Sequence, residues 1–395
     1  MAPVGAGRKF LAAARAAKVG MAASAAELLD EVRRRAIGRI DPEGATRSAV
    51  GRAGLARARV VAVGKAAGPM ADGAAAALRE VLPGSFATLP DGAPAPRTAG
   101  IETWRASHPL PDARSAAAGA EALGRVADGV PWILCLSGGA SALWFVPAGG
   151  LTVAGGRELT VSLLASGRSI GEINDVRRKA SRVAGGGLLR AAARGPERVL
   201  VLSDVPGDDP AIVGSGPCWP EGGAGAPPHE VIGSNRDLVA AAAAELEACG
   251  VRVAERAADE DGAVEALAAA YGAMARRWRA EGAEAPRAAV GGGEARVRVR
   301  GDRAGRGGRC THLALLVAQA IAGVEGAAFG AFASDGVDGA SGAAGAIVDG
   351  ATWGAGAAAA LARFDAAGWL AGRGALSPEE PTGTNVRDLY ILLLT

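Results

Sequence analysis

WILCLSGGAS (Trp132 to Ser141) decides the fold, because an unbroken apolar run there stops at a turn of Ser and Gly. Three other stretches repeat the pattern: VVAVGKAAG (Val60 to Gly68), VLVLSDVPGDD (Val199 to Asp209) and AAFGAFASDGVDG (Ala327 to Gly339). Short continuous apolar runs bounded by turn residues are what strands buried on both faces look like, as in a parallel sheet. Ligands of open α/β folds bind beyond the carboxyl ends of such strands. The polar residues ending these runs are therefore the first candidates for chemistry. One Lys, paired glycines and several Asp suit a phosphate and a divalent cation.

A chain of 395 residues has length for two or three domains. Its net charge of +2 and 4% aromatic content give no support for a nucleic-acid or membrane partner. Cys135, Cys218, Cys249 and Cys310 lie far apart with no CxxC spacing, which reads as reduced thiols of a cytoplasmic protein. No apolar stretch reaches the roughly 18 residues a membrane span needs. Near the start, Arg15 and Lys18 interrupt the apolar residues after Arg8 and Lys9, so the first 20 or so residues read as an extension or amphipathic helix and not as an export signal. Only four of the 43 basic residues are Lys, and Asn174, Asn235 and Asn385 are the only Asn. A chain this biased to Arg keeps a Lys for its own chemistry, since a compact ammonium and a planar guanidinium do not substitute for each other.

Helical spacing runs from about Ala22 to Ala49, interrupted at Asp41-Pro42. Asp112 or Ser115 is placed to cap a helix ahead of the Trp132 strand. In IGEINDVRRKASRVAGGG, Asn174, Arg177, Arg178 and Ser181 share one helix face. The Pro/Gly-rich GSGPCWPEGGAGAPPHE (214–230) is the hinge candidate. Alternating β and α signals predict layered α/β in two lobes, with domains at 1–230 and 231–395.

Gly64-Lys65 falls where a strand turns into a helix, a position where an ammonium meets phosphate oxygens beside free backbone N–H groups. GxxxxGK[ST] is absent, so this is no Walker A loop. Ser137, Gly138, Gly139 and Ser141 form a candidate anion nest, with Ser141 a candidate cap, although a plain tight turn explains SGG nearly as well. Asp204, Asp208 and Asp209 share one loop, and Asp335 and Asp338 another. Gathered carboxylates need cations, whereas helix caps and Asx turns account for single ones. Arg309 opens a helix after Gly307-Gly308, and His108 in SHPLPD is the histidine nearest a motif.

Taken together, GKAAGPM, SHPLPD, LSGGASAL, EINDVR, SDVPGDDP with GSGP, GGGEARV, GGR, SDGVDGASGAAGA and PTGTNVRDL resemble the class II glycerate kinases, whose C-terminal part is the MOFRL domain. The motifs keep family order from about Asp41 to the C-terminus. The resemblance implies two α/β lobes around an active-site cleft, the larger one N-terminal and Rossmann-like. It implies transfer of the γ-phosphoryl of ATP, with Mg²⁺, to the 2-hydroxyl of D-glycerate or a closely related hydroxy acid. Lys65, Arg309, Asp204 and Asp335 would be catalytic, and Asp204, Asp209 and Asp335 metal-binding. Gly64, Ser137, Gly138, Gly139, Ser141 and Asn385 would hold the nucleotide phosphates, and Asn174, Arg177 and His108 the acceptor. A homodimer is the assembly entertained. The chain departs from the family at Cys310-Thr311-His312, where Asn-Gln-Glu is usual, at Ala140, and at Arg178-Lys179-Ala180 and Ala184. A non-catalytic metabolite-binding relative and a hydroxypyruvate reductase are the competing readings; the latter lacks GxGxxG after its first strand.

Overall fold

The computed structural model describes residues 24–166, 170–282, 286–299 and 305–395. It divides into two compact units: Asp41–Ser234 with Gly383–Val386, and the residues up to Ile40 with Asn235–Thr382 and Arg387–Thr395. The first described helix, α1 (Ala25–Gly38), starts with a capping box between Ser24 and Glu27. The helical signal then breaks where the sequence places it. Asp41 accepts a bond from the Gly44 N–H (2.9 Å), and Pro42 opens α2 (Pro42–Arg52).

In the first unit α2 is followed by β1 (Arg57–Val63), α3 (Ala67–Ala77), β2 (Glu80–Val81), β3 (Phe86–Pro90) and β4 (Glu102–Ala106). Next come α4 (Ala113–Arg125), β5 (Trp132–Ser137), α5 (Ala140–Leu143), α6 (Val153–Ala165), α7 (Ile170–Ala180), α8 (Gly187–Ala191), β6 (Val199–Leu202) and β7 (His229–Gly233). The sheet order is β4-β3-β1-β5-β6-β7, with β2 also on β1, and every pairing is parallel. Six of seven β1 residues and all of β5 and β6 are buried, as three of the apolar runs predict. From β1 the chain builds outward to β3 and β4, and from β5 to β6 and β7. The order therefore reverses between β1 and β5, and a doubly wound sheet opens a crevice at such a switch point.

The second unit adds α9 (Asn235–Ala248), β8 (Arg252–Ala257), α10 (Val264–Glu281), β9 (Arg287–Gly293) and α11 (Arg309–Ala320) to α1. It ends with β10 (Ala327–Ala333), β11 (Ala343–Asp349), α12 (Ala357–Ala362), α13 (Ala366–Ala371), β12 (Leu376–Pro378) and β13 (Asp388–Leu394). Its order is β12-β11-β10-β13-β9-β8, and only β8–β9 is parallel. The fourth apolar run, now β10, thus departs from the parallel expectation: both its neighbours are antiparallel. Ala327, Phe329, Ala331 and Ala333 join the cluster of α10 and α11 side chains. On the opposite face, Gly330 lies against Leu29 and Phe332 against Arg33, both of α1. Helices on both faces produce an unbroken apolar run whatever the strand direction.

The units also differ from the expected domains. They are nearly equal in length, because α1 belongs with residues from Asn235 onward: its stripe of Leu29, Val32, Ala36 and Ile37 is buried against α9 and β10. Burying each large aliphatic side chain of that stripe contributes about 1.5–3 kcal/mol. The 214–230 stretch lies inside the first unit, and the change of unit falls at Ser234/Asn235. Gly383–Val386 returns to the first unit and brings Asn385 with it.

Candidate active site

At the carboxyl end of β1 the chain leaves the sheet through Gly64, whose φ of +123° and contact with Ser137 exclude a side chain. Lys65 N–H donates to Gly138 O (2.9 Å), and Ala66 N–H donates to Ser137 Oγ (3.1 Å). The two predicted turns are therefore bonded side by side across the β1/β5 switch point. Gly139 (φ +91°) is the N-cap of α5, so Ser141 is not the cap; its hydroxyl lies 2.8 Å from that of Ser215. A methyl on Gly139 would sit 3.1 Å from His108 Cδ2 and 3.7 Å from Lys65 Cγ. A methyl on Gly138 would collide with the carboxylate of Asp204 and the amide of Asn385. Asn385 Nδ2 donates to Asp204 Oδ2 at 3.2 Å. Thus Lys65, His108, Asp204 and Asn385 meet on the Cα atoms of two adjacent glycines.

The two acceptor candidates on α7, Asn174 and Arg177, make different contacts. Asn174 is buried and donates to Ala211 O (2.9 Å), which ties α7 to the loop after β6. Arg177 feels Asp204: burial lowers its pKa and the nearby Asp204 charge opposes that shift. Asp209 is exposed, and its Oδ1 accepts from Ala211 N–H in an Asx turn (2.8 Å).

Arg309 and Asp335 belong to the second unit. Arg309 opens α11 and grips Asp388 through Nε (2.5 Å) and Nη2 (2.9 Å), with Glu294 3.1 Å from Nη1. Asp388 is fully buried and also accepts from Tyr390 Oη (3.2 Å). Burial pushes its pKa up to about 6, against the pull of Arg309. Asp335 accepts from Val337 N–H (3.1 Å), and Asp338 caps α11 through the N–H groups of Cys310 and Thr311. Among the described residues no group of three or more His, Cys, Asp or Glu is arranged to hold a metal. Mg²⁺ needs only one or two carboxylates when phosphates and water supply its other ligands, and Asp204 beside the glycine turn suits that donor set.

Comparison with known proteins shows the family. Residues 28–243 match a domain of unknown function, DUF4147, and residues 287–388 match the MOFRL family. D-glycerate 2-kinase of Thermotoga maritima is 30% identical over 93% of this chain and 98% of its own length. The chain belongs to the class II glycerate kinase family. The crystal structure of the glycerate kinase from Thermotoga maritima superposes with a TM-score of 0.81 at 29% identity, covering 94% of this chain and 99% of that one. A protein of Agrobacterium vitis named putative hydroxypyruvate reductase is 43% identical over 120 residues, 30% of this chain and 31% of that protein. A second one is 38% identical over 49% of this chain and 45% of its own length. The chain thus spans less than half of those two relatives. No helix among the described residues is long and apolar enough to cross a membrane.

Within the family, the Cys310-Thr311-His312 departure has a structural account. Cys310 is in the core, Thr311 bonds Gly308 across the first turn of α11, and His312 stacks on Phe364 with centroids 5.6 Å apart. The sequence reading misses Asp388 and Glu294 as partners of Arg309. The signal for Asp388 is present: a single carboxylate opens the apolar run DLYILLL.

Proposed function

We propose that this chain transfers the γ-phosphoryl of ATP to the 2-hydroxyl of D-glycerate, or of a closely related hydroxy acid, releasing ADP and a 2-phospho acid. The observation that carries this reading is the meeting of Lys65, His108, Asp204 and Asn385 on Gly138 and Gly139, at the switch point where α/β sheets bind ligands. Glycerate kinase relatives supply the reaction class.

Lys65 meets the phosphate oxygens as a point charge, and the bare Cα atoms of Gly138 and Gly139 admit them close to the backbone. Asp204 orients the acceptor hydroxyl and takes its proton as the new O–P bond forms and the bond to the leaving ADP breaks. Asn385 fixes the rotamer of Asp204 by its hydrogen bond. Arg177 offers a planar fork to the acceptor carboxylate. Asp204 also supplies a carboxylate for Mg²⁺, which neutralises phosphate charge when bound.

ADP release coupled to a dehydrogenase assay, with D-glycerate, erythronate and threonate in turn, tests this. ATP-dependent turnover with one of them and none without Mg²⁺ is the expected result. Binding of ATP with no turnover on any acceptor would overturn it. NADH oxidation by hydroxypyruvate would move the assignment to a reductase.

A further inference from the structure

Of the four lysines, two fall in the described residues: Lys65 in the candidate active site, and Lys179. Lys179 and Arg178, in the last turn of α7, line a pocket of about 430 Å³. Arg182 and Arg190 add to its charged lining, and Ser181 and Leu123 also line it. No Asp or Glu lines the pocket, and none of the four cations forms an ion pair among the described residues. Elsewhere arginines are regularly matched, as Arg59 is with Asp128 and Arg114 with Asp91 and Asp112. Four unmatched like charges around one concavity repel each other, and an anion removes that repulsion.

The turn beneath them is shaped to hold the guanidinium groups. Gly185 and Gly186 have φ of +56° and +75°. A methyl at Gly185 would lie 3.1 Å from Arg178 Nε, and one at Gly186 would lie 3.2 Å from Arg190 Nη1. Arg190 donates to Gly185 O (2.7 Å), which fixes its fork and leaves further N–H groups for a ligand.

This pocket is not the candidate active site. It shares no residue with the Lys65 cluster. Ala193, two residues past its rim, bonds Val126 ahead of β5 (3.2 Å), so this rim lies near the amino end of β5. Ser137 and Gly138 lie at the carboxyl end, five and six residues beyond Trp132, about 17–20 Å from this rim at roughly 3.3 Å per residue. We propose that the Arg178–Lys179–Arg182–Arg190 pocket is a second anion site that binds a small phosphate-bearing metabolite. Guanidinium forks match phosphate oxygens bidentately, and the pocket has room for a single small molecule.

Calorimetric titration of the full chain with sodium pyrophosphate, at low ionic strength without nucleotide or hydroxy acid, tests this. A Lys65→Met background removes the competing cation of the active site. One pyrophosphate is expected to bind per chain in that background, and Lys179→Gln with Arg182→Gln to weaken it at least tenfold. Both side chains are exposed, so far-UV circular dichroism should be unchanged; Arg190→Gln serves as an independent second variant. Binding lost with Lys65→Met alone, or unchanged in both pocket variants, overturns the proposal. Equal displacement by citrate overturns the phosphate assignment.

Discussion

The turn at Lys65 and the helix start at Arg309 each carry a cation, and their surroundings are built differently. Around Lys65 the glycines make the room: Gly64, Gly138 and Gly139 lack the Cβ atoms that would collide with Ser137, Asp204 and His108. Around Arg309 a side chain holds the cation, through a bidentate pair with the fully buried Asp388. The first arrangement is sensitive to an added methyl, the second to a lost charge. Removing one partner of a buried pair leaves the other charge without compensation, at a cost of about 3–5 kcal/mol.

The largest effect is expected of Lys65→Met. It should lower kcat by about a thousandfold or more, the scale of lost phosphoryl-charge stabilisation, while the far-UV circular dichroism stays that of the folded chain. Loss of stability without loss of rate would make Lys65 a structural residue. Arg309→Ala should cost both: turnover falls by about a hundredfold or more, as the family resemblance implies, and the fold loses several kcal/mol in urea titration. A rate effect with no stability effect would mean that the Asp388 pair is not what holds Arg309.

A pH profile reads the state of Asp388. An acid whose folded pKa is raised from 3.8 to about 6 binds its proton more tightly in the folded state. Its own contribution to stability therefore falls as pH rises from about 4 to 6 and is constant above. The carboxylate that clamps Arg309 forms only above that range. The kcat of the wild type should decline as pH drops through about 6, and Asp388→Asn should lack that limb. The smallest effect is expected at a helix cap. Asp112 caps α4 by accepting from Arg114 and Ser115 N–H groups, and Asp112→Ala should lose about 1 kcal/mol with unaltered turnover.

Much of the first unit was legible in the sequence. The runs ending at Val63, Leu136 and Leu202 are consecutive in the parallel sheet, and the turns after them carry the candidate site. Asp112 was readable as a cap because its chemistry is local. Asp209 and Asp338 were open to a plainer reading, and each bonds backbone N–H groups as that reading requires. Strand direction in the second unit was not legible, because β10 is apolar on both faces for the same reason a parallel strand is: helices cover it on each side.

Alone, the sequence determined the buried strands, the turns that end them and the scarce residue types placed there, all set by local preference and burial. Tertiary structure decided which unit each segment joins: α1 packs with α9 and β10, and Asn385 crosses 181 positions to reach Asp204. It also decided that Asp388 holds Arg309 across 79 residues. Contacts between residues so far apart depend on how whole elements pack, and no local pattern encodes that choice.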